Sequence, residues 1–214
     1  MFIRSIVLPL LLLLPFARAE GEERPVLLVL GDSLTAGYGL DPSLAYPALL
    51  QKKIDAAGLD VEVVNAGVSG ETSAGGARRI DWLLKRRVDV LLLELGANDG
   101  LRGIPLDSTE ANLQRIIDAT RSRFPDVRIV VAGMLVPPNL GPDYSRAFRE
   151  LFRDLATRNH ATLIPFLLEG VAGKRELNQA DGIHPTPQGH EVVAETVWKV
   201  IRPILSRISP QKTG

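Results

Sequence analysis

The sequence predicts an α/β fold, a five-stranded parallel sheet with helices on both faces in three α/β/α layers. Two observations carry that expectation. Short apolar runs alternate with longer amphipathic stretches through five units, a pattern that builds a parallel sheet covered by its crossover helices. The short runs are rich in Val, Leu and Ile throughout, as strands buried on both faces are.

The residues ahead of the first unit read differently. Arg4 forms a short basic region, Ile6 to Leu14 is apolar with Pro9 inside it, and Ala17-Arg18-Ala19 fits a small-x-small cleavage site. The expectation is a signal peptide over 1–19 cut after Ala19, followed by one exported domain over 20–214. The apolar run is short for a membrane span, so an uncleaved anchor is the weaker alternative. The chain has no cysteine, which excludes disulfides, thiolate nucleophiles, Cys-zinc sites and a lipidated N-terminal Cys. Lys+Arg and Asp+Glu both number 25, and nothing suggests a nucleic-acid footprint. The densest basic cluster, Arg78, Arg79, Lys85, Arg86 and Arg87, reads as the solvated face and C-terminal end of a helix.

The expected strands are 26–30, 61–65, 90–95, 128–134 and 162–165. The expected helices are 45–57, 74–87, 108–124, 145–159 and 187–207, with Gly58 and Pro125 stopping two of them. No internal repeat, linker or second domain interrupts the pattern. Residues 209–214 are polar and read as a frayed tail.

In open α/β sheets the ligand site lies outside the carboxyl ends of the strands. Gly31-Asp32-Ser33-Leu34 follows the first strand, and Asn65-Ala66-Gly67-Val68-Ser69-Gly70-Glu71-Thr72 follows the second. Gly96-Ala97-Asn98-Asp99-Gly100 follows the third, Leu135 to Asn139 the fourth, and Asp181-Gly182-Ile183-His184-Pro185 lies beyond the fifth. All five therefore fall on one edge of the sheet.

A serine hydroxyl needs a base within hydrogen-bond reach before it attacks a carbonyl. Of the three histidines, His160 ends a helix and His190 lies inside the last one. His184 stands in a loop that Pro185 restricts to extended geometry. Ser33, His184 and Asp181 thus supply nucleophile, base and orienting acid, although Asp181 also suits a cap on the turn into the last helix. The amides of Ser33 and Gly70 and the side chain of Asn98 are candidate donors to an oxyanion. Asn98 equally reads as a turn residue. Asp32, at a helix start, and Asp99 are assigned to support. Thr35 breaks the lipase elbow pattern, no dinucleotide or Walker loop is present, and no cluster has metal-ligand spacing, so no metal or cofactor is expected.

These residues resemble the SGNH, or GDSL, hydrolase superfamily, and most of all its bacterial periplasmic thioesterase, arylesterase and lysophospholipase branch. The four blocks are Gly-Asp-Ser-Leu at Ser33, Val-Ser-Gly-Glu-Thr at Gly70, Gly-Ala-Asn-Asp-Gly-Leu-Arg-Gly at Asn98, and Asp-Gly-Ile-His-Pro at His184, in family order. The resemblance implies a flavodoxin-like fold, an oxyanion hole from Ser33, Gly70 and Asn98, and an acyl groove bordered by the loop 99–104. Ala97 departs from the glycine common in close relatives, which would stiffen that loop.

The expectation is a cofactor-free, monomeric, periplasmic or secreted esterase acting on small-molecule ester or lipid substrates. It would keep no stable membrane anchor. Leu101, Ile104, Leu135, Val136 and Leu140 would line a groove for medium-to-long acyl chains, or merely pack the loops. A carbohydrate acetyl esterase and a non-catalytic binding protein on the same fold are the rivals.

Overall fold

The computed structural model describes residues 23–209, and the expected signal peptide and residues 210–214 lie outside them. Five strands form one all-parallel sheet in the order β2-β1-β3-β4-β5: β1 (Val26–Gly31), β2 (Glu62–Gly67), β3 (Val90–Glu94), β4 (Arg128–Ala132) and β5 (Thr162–Ile164). Every residue of β1 and β3 is buried, which explains their unbroken apolar runs. The strand order reverses between β1 and β3, and their carboxyl ends open the crevice where a site is expected.

The helices are α1 (Ser33–Ala36), α2 (Tyr46–Ala56), α3 (Ser73–Leu83), α4 (Ala97–Leu101), α5 (Leu106–Arg123), α6 (Pro142–Arg158) and α7 (Pro187–Ile208). α2 packs on α7, while α3, α5 and α6 pack in sequence, giving the outer two of three layers. The amphipathic faces dictate this: Phe148, Leu151, Phe152 and Leu155 of α6, and Val193, Val197, Ile201 and Leu205 of α7, are all buried.

The expected elements are present with shifted ends. α3 stops at Leu83 rather than 87, while α5 and α6 start earlier than expected. The short helix α1 begins at Ser33, where Asp32 was expected to start a helix, while α4, which carries Asn98, was not anticipated, because a single helical turn has no periodicity to read. Two further expectations are corrected. Arg79 does not lie on a solvated face: it is three-quarters buried, pairs with Glu71 through Nε at 2.8 and 2.9 Å, and donates to the Ala66 carbonyl at 2.6 Å. Ser209 is not frayed: it is buried, and its hydroxyl accepts from the Asp60 amide at 2.8 Å.

Candidate active site

Ser33 stands at the start of α1, two residues past the end of β1. The turn that presents it is built from buried groups. Asp32 caps α1, its Oδ1 accepting from the Leu34 amide at 3.0 Å. Glu94, at the end of β3 and fully buried, accepts through Oε2 from the Asp32 amide at 3.1 Å and the Thr35 hydroxyl at 2.6 Å. Thr35 and the Tyr46 hydroxyl lie 2.7 Å apart. Gly31 is required here, because a Cβ would stand 2.0 Å from Thr35 Oγ1 and 2.3 Å from Glu94 Oε2. Burial pushes Glu94 well above the ordinary carboxylate range, and the nearby Asp32 charge adds to it.

His184 reaches the same point from the other side of the crevice. Its Nε2 lies 2.9 Å from Ser33 Oγ, and its Nδ1 lies 2.6 Å from Asp181 Oδ2. Asp181 Oδ1 also accepts from the amides of Ile183 at 2.9 Å and His184 at 3.0 Å. The hydrogen bond from His184, reinforced by these amides, holds Asp181 down to about 2, so it is anionic at any working pH. Through these amides Asp181 also caps the turn that leads to α7, as its second reading allowed, while Thr186 caps the helix itself, accepting from Gly189. The Tyr38 ring lies on the imidazole, centroids 4.5 Å apart. The Gln179 amide donates to the His184 carbonyl at 2.7 Å, and its side chain ties Tyr38 to Pro185 through their carbonyls.

Gly70 sits in a turn at φ +78°, a backbone that favours glycine, and its carbonyl accepts from Arg102 at 2.9 Å. Asn98 lies in the first turn of α4. Its Nδ2 donates to Asp32 Oδ2 at 2.9 Å and to the Glu71 carbonyl at 3.0 Å. Next to it, Asp99 is buried and supportive as expected, accepting from Ser73 through the amide at 2.8 Å and the hydroxyl at 2.5 Å.

The structure brings Ser33, His184, Asp181 and Asn98 together, with Gly70 on the turn that carries Glu71. His190 is buried and accepts through Nδ1 from the Tyr46 amide at 3.2 Å; burial lowers it to about 4. His160 follows α6 at φ +44°. Of the expected groove residues, Leu101, Leu135 and Leu140 are exposed and Ile104 is half-buried. Val136 is corrected: it is 8% exposed and packs close under Gly100, so it backs the wall rather than lining it. Tyr38, Val68 and Ile183 are exposed apolar side chains beside the site that sequence reasoning missed. Glu94 was missed as well, although a lone acid ending the apolar run Val90-Leu91-Leu92-Leu93 was a visible signal. Among the described residues, no group of three or more His, Cys, Asp or Glu is arranged to hold a metal.

Fold and site define the class: a carboxylic ester hydrolase on a parallel α/β sheet. The chain belongs to the GDSL-like lipase/acylhydrolase family, whose model matches residues 29–192. It is 42% identical over 180 residues to esterase TesA of Pseudomonas aeruginosa, covering 84% of this chain and 89% of that protein. It is 36% identical over 200 residues to thioesterase 1/protease 1/lysophospholipase L1 of Escherichia coli K12, covering 93% and 92%. Among solved structures, the psychrotrophic esterase EstA from Pseudoalteromonas, in a form inhibited by monoethylphosphonate, superposes with TM-score 0.79 at 36% identity, covering 84% of this chain and 98% of that one. Among the described residues, no helix is long and apolar enough to cross a membrane.

Proposed function

We propose that this chain is an exported serine esterase that hydrolyses acyl, aryl and lysophospholipid esters, and acyl thioesters, through an acyl-enzyme. The observation that carries the reading is the unbroken chain from Ser33 Oγ to His184 Nε2 at 2.9 Å and from His184 Nδ1 to Asp181 Oδ2 at 2.6 Å.

Neutral His184 takes the Ser33 proton as Oγ bonds to the carbonyl carbon. Asp181 holds Nδ1–H and stabilises the imidazolium. The carbonyl oxygen becomes an oxyanion that accepts from the amides of Ser33 and Gly70 and from Asn98 Nδ2. The tetrahedral intermediate collapses, the C–O or C–S bond breaks, and His184 gives its proton to the leaving group. Water then enters, loses a proton to His184 and attacks the acyl-enzyme. The second collapse returns the proton to Ser33 Oγ and releases the acid. No metal or cofactor enters these steps.

Leu101, Leu135 and Leu140, with Tyr38, Val68 and Ile183, are exposed at the edge of the sheet that carries Ser33. Apolar surface there favours medium-to-long acyl chains. The enzyme acts as one monomeric domain after removal of residues 1–19, in the periplasm or beyond it, without a stable membrane anchor.

The test is hydrolysis of p-nitrophenyl esters from acetyl to palmitoyl, with Ser33→Ala as control. The expected result is a maximum at about six carbons or longer, consistent with an apolar groove, and no turnover by the variant. Turnover by clean Ser33→Ala protein refutes the nucleophile. A sharp acetyl preference turns the reading toward a carbohydrate esterase.

A further inference from the structure

The amide of Asn98 presents either nitrogen or oxygen to the crevice, and only nitrogen donates. Two acceptors face it, the Asp32 carboxylate at 2.9 Å and the Glu71 carbonyl at 3.0 Å. Both therefore turn the nitrogen inward. The amide has two hydrogens, and both are engaged before substrate arrives. A charge-assisted bond is stronger than a neutral one, so the hydrogen on the Glu71 carbonyl is the one that passes to a substrate oxygen.

We infer that ionised Asp32 is a positioning residue: its carboxylate fixes the Asn98 amide with nitrogen toward the oxyanion, and its protonation releases that orientation. A protonated Asp32 becomes a donor able to bond the Asn98 oxygen, and with the charge-assisted bond lost only the neutral Glu71 carbonyl still holds the nitrogen inward. The flipped amide then sets a carbonyl dipole against the developing negative charge. The inference rests on the proposed role of Asn98 as an oxyanion donor.

The surroundings place this switch within the working range. Asp32 is 1% exposed. Burial is the largest influence on it and raises it to about 6; the Leu34 amide, His184 and Asn98 pull against that rise, and Glu71 adds to it. The other charged and titratable groups facing it come from five elements. Glu94 of β3 is fully buried and held well above the ordinary carboxylate range, first by burial and then by the Asp32 charge. Tyr46 of α2 is buried and neutral, raised mainly by burial and further by Glu94 and Asp32. Glu71, beyond β2, is paired with Arg79 of α3. His184 comes from the loop before α7.

The test is Asp32→Asn, because Asn caps a helix as well as Asp does while removing the charge. The variant should lose about 10- to 100-fold in kcat with KM changed by less than about 3-fold. In the wild type protonation of His184 stops turnover and protonation of Asp32 slows it further, so log(kcat/KM) should steepen from a slope of about one toward two over about one to two decades on the acid side; in the variant it should stay at about one. A merely structural Asp32 would leave the slope alone.

Asn98→Ala gives an independent arm that does not depend on how Asp32→Asn folds. With no amide left to orient, its acid limb should also fall to a slope of about one. In that background Asp32→Asn should cost less than about 3-fold, because the two changes remove one interaction. Full multiplication of the two losses, or a two-proton acid limb surviving in Asn98→Ala, overturns the inference. Those outcomes leave the serine mechanism standing. An Asn98→Ala protein with undiminished kcat would instead sink the oxyanion role on which the inference is built.

Discussion

The two arms of the site are held in opposite ways. The nucleophile turn is tied to the core by contacts far apart in sequence: Asp32 and Thr35 to Glu94, Thr35 to Tyr46, and Tyr46 to His190 of the last helix. All five side chains are buried. The base loop is held mostly by neighbours, with Asp181 bonding the side chain and amide of His184 three residues on and Gln179 bonding its carbonyl; its ties from afar run to the half-exposed Tyr38. The Asp181 side chain is 38% exposed. Geometry on the first arm is therefore coupled to global stability, and on the second it is nearly free of it. An exposed loop opens cheaply, whereas a buried network opens only with the fold.

Asp181→Asn gives the largest expected effect and probes the free arm. Asparagine still accepts from the Ile183 and His184 amides but no longer holds the imidazole in the tautomer that takes the Ser33 proton. Activity on a p-nitrophenyl ester should fall about 10³- to 10⁴-fold. The urea midpoint should move by less than the equivalent of about 1 kcal/mol, since the group is exposed. A large loss of stability would erase the distinction between the arms.

Glu94→Ala probes the coupled arm and should act through stability first. It leaves the Asp32 amide and the Thr35 hydroxyl without their buried acceptor and opens space beneath the turn. Unsatisfied buried donors cost about 1–3 kcal/mol each, so the loss should be roughly 3 kcal/mol by urea unfolding, with ester hydrolysis falling alongside. Unchanged stability would mean that the turn is held by its own backbone and not by the core.

How far these arms were legible before the structure follows from the same difference. Ser33, Asp181 and His184 each sit in a short motif, and the base loop is local enough that its acid partner lies three residues away. The parallel sheet was legible because burial on both faces writes itself as unbroken Val, Leu and Ile. Glu94, Tyr46 and His190 reach the nucleophile only through the fold, at separations of 59 residues for Glu94 to Thr35 and 144 for His190 to Tyr46. No spacing rule covers such pairs. Arg79 misled for the same reason: in sequence it belongs to a basic cluster, and only the turn after β2 brings Glu71 against it. Val136 misled because apolar identity does not separate a residue that faces a groove from one that backs it.

His190 offers a third probe, through pH. Its folded value is about 4, lowered by burial, against 6.5 in the open chain. As pH falls from 6.5 to 4 the unfolded chain takes up the proton and the folded state does not, so stability is lost over that window. His190→Gln removes the loss while its oxygen still accepts from the Tyr46 amide. Plotted against pH, the stability of the variant relative to wild type should rise by up to about 3 kcal/mol between pH 6.5 and 4. Asp32 has the opposite sign. Raised to about 6 by burial, it takes up its proton in the folded state first, so folding gains as pH falls through 6 toward 3.8. Asp32→Asn should therefore show a falling relative stability across the range where His190→Gln rises. Parallel curves would mean that the two groups are not buried partners of one network.

The smallest expected effect belongs to neither arm but to the rim between them. Leu140 is 40% exposed in the turn before α6, so its replacement leaves the core and both arms untouched. If it contacts the acyl chain, Leu140→Ala removes apolar surface worth about 1 kcal/mol, since each buried methylene contributes about 0.8 kcal/mol. That corresponds to a fall of about 5-fold in kcat/KM for a long acyl ester. An acetyl ester is too short to reach the rim and should not change. Because the contact exists in ground state and transition state alike, the loss should appear in KM and leave kcat alone. An equal loss on acetyl and long-chain esters would place Leu140 with the catalytic arms instead, and would make the 3-10 turn at Pro138–Leu140 part of the machinery that positions Asn98.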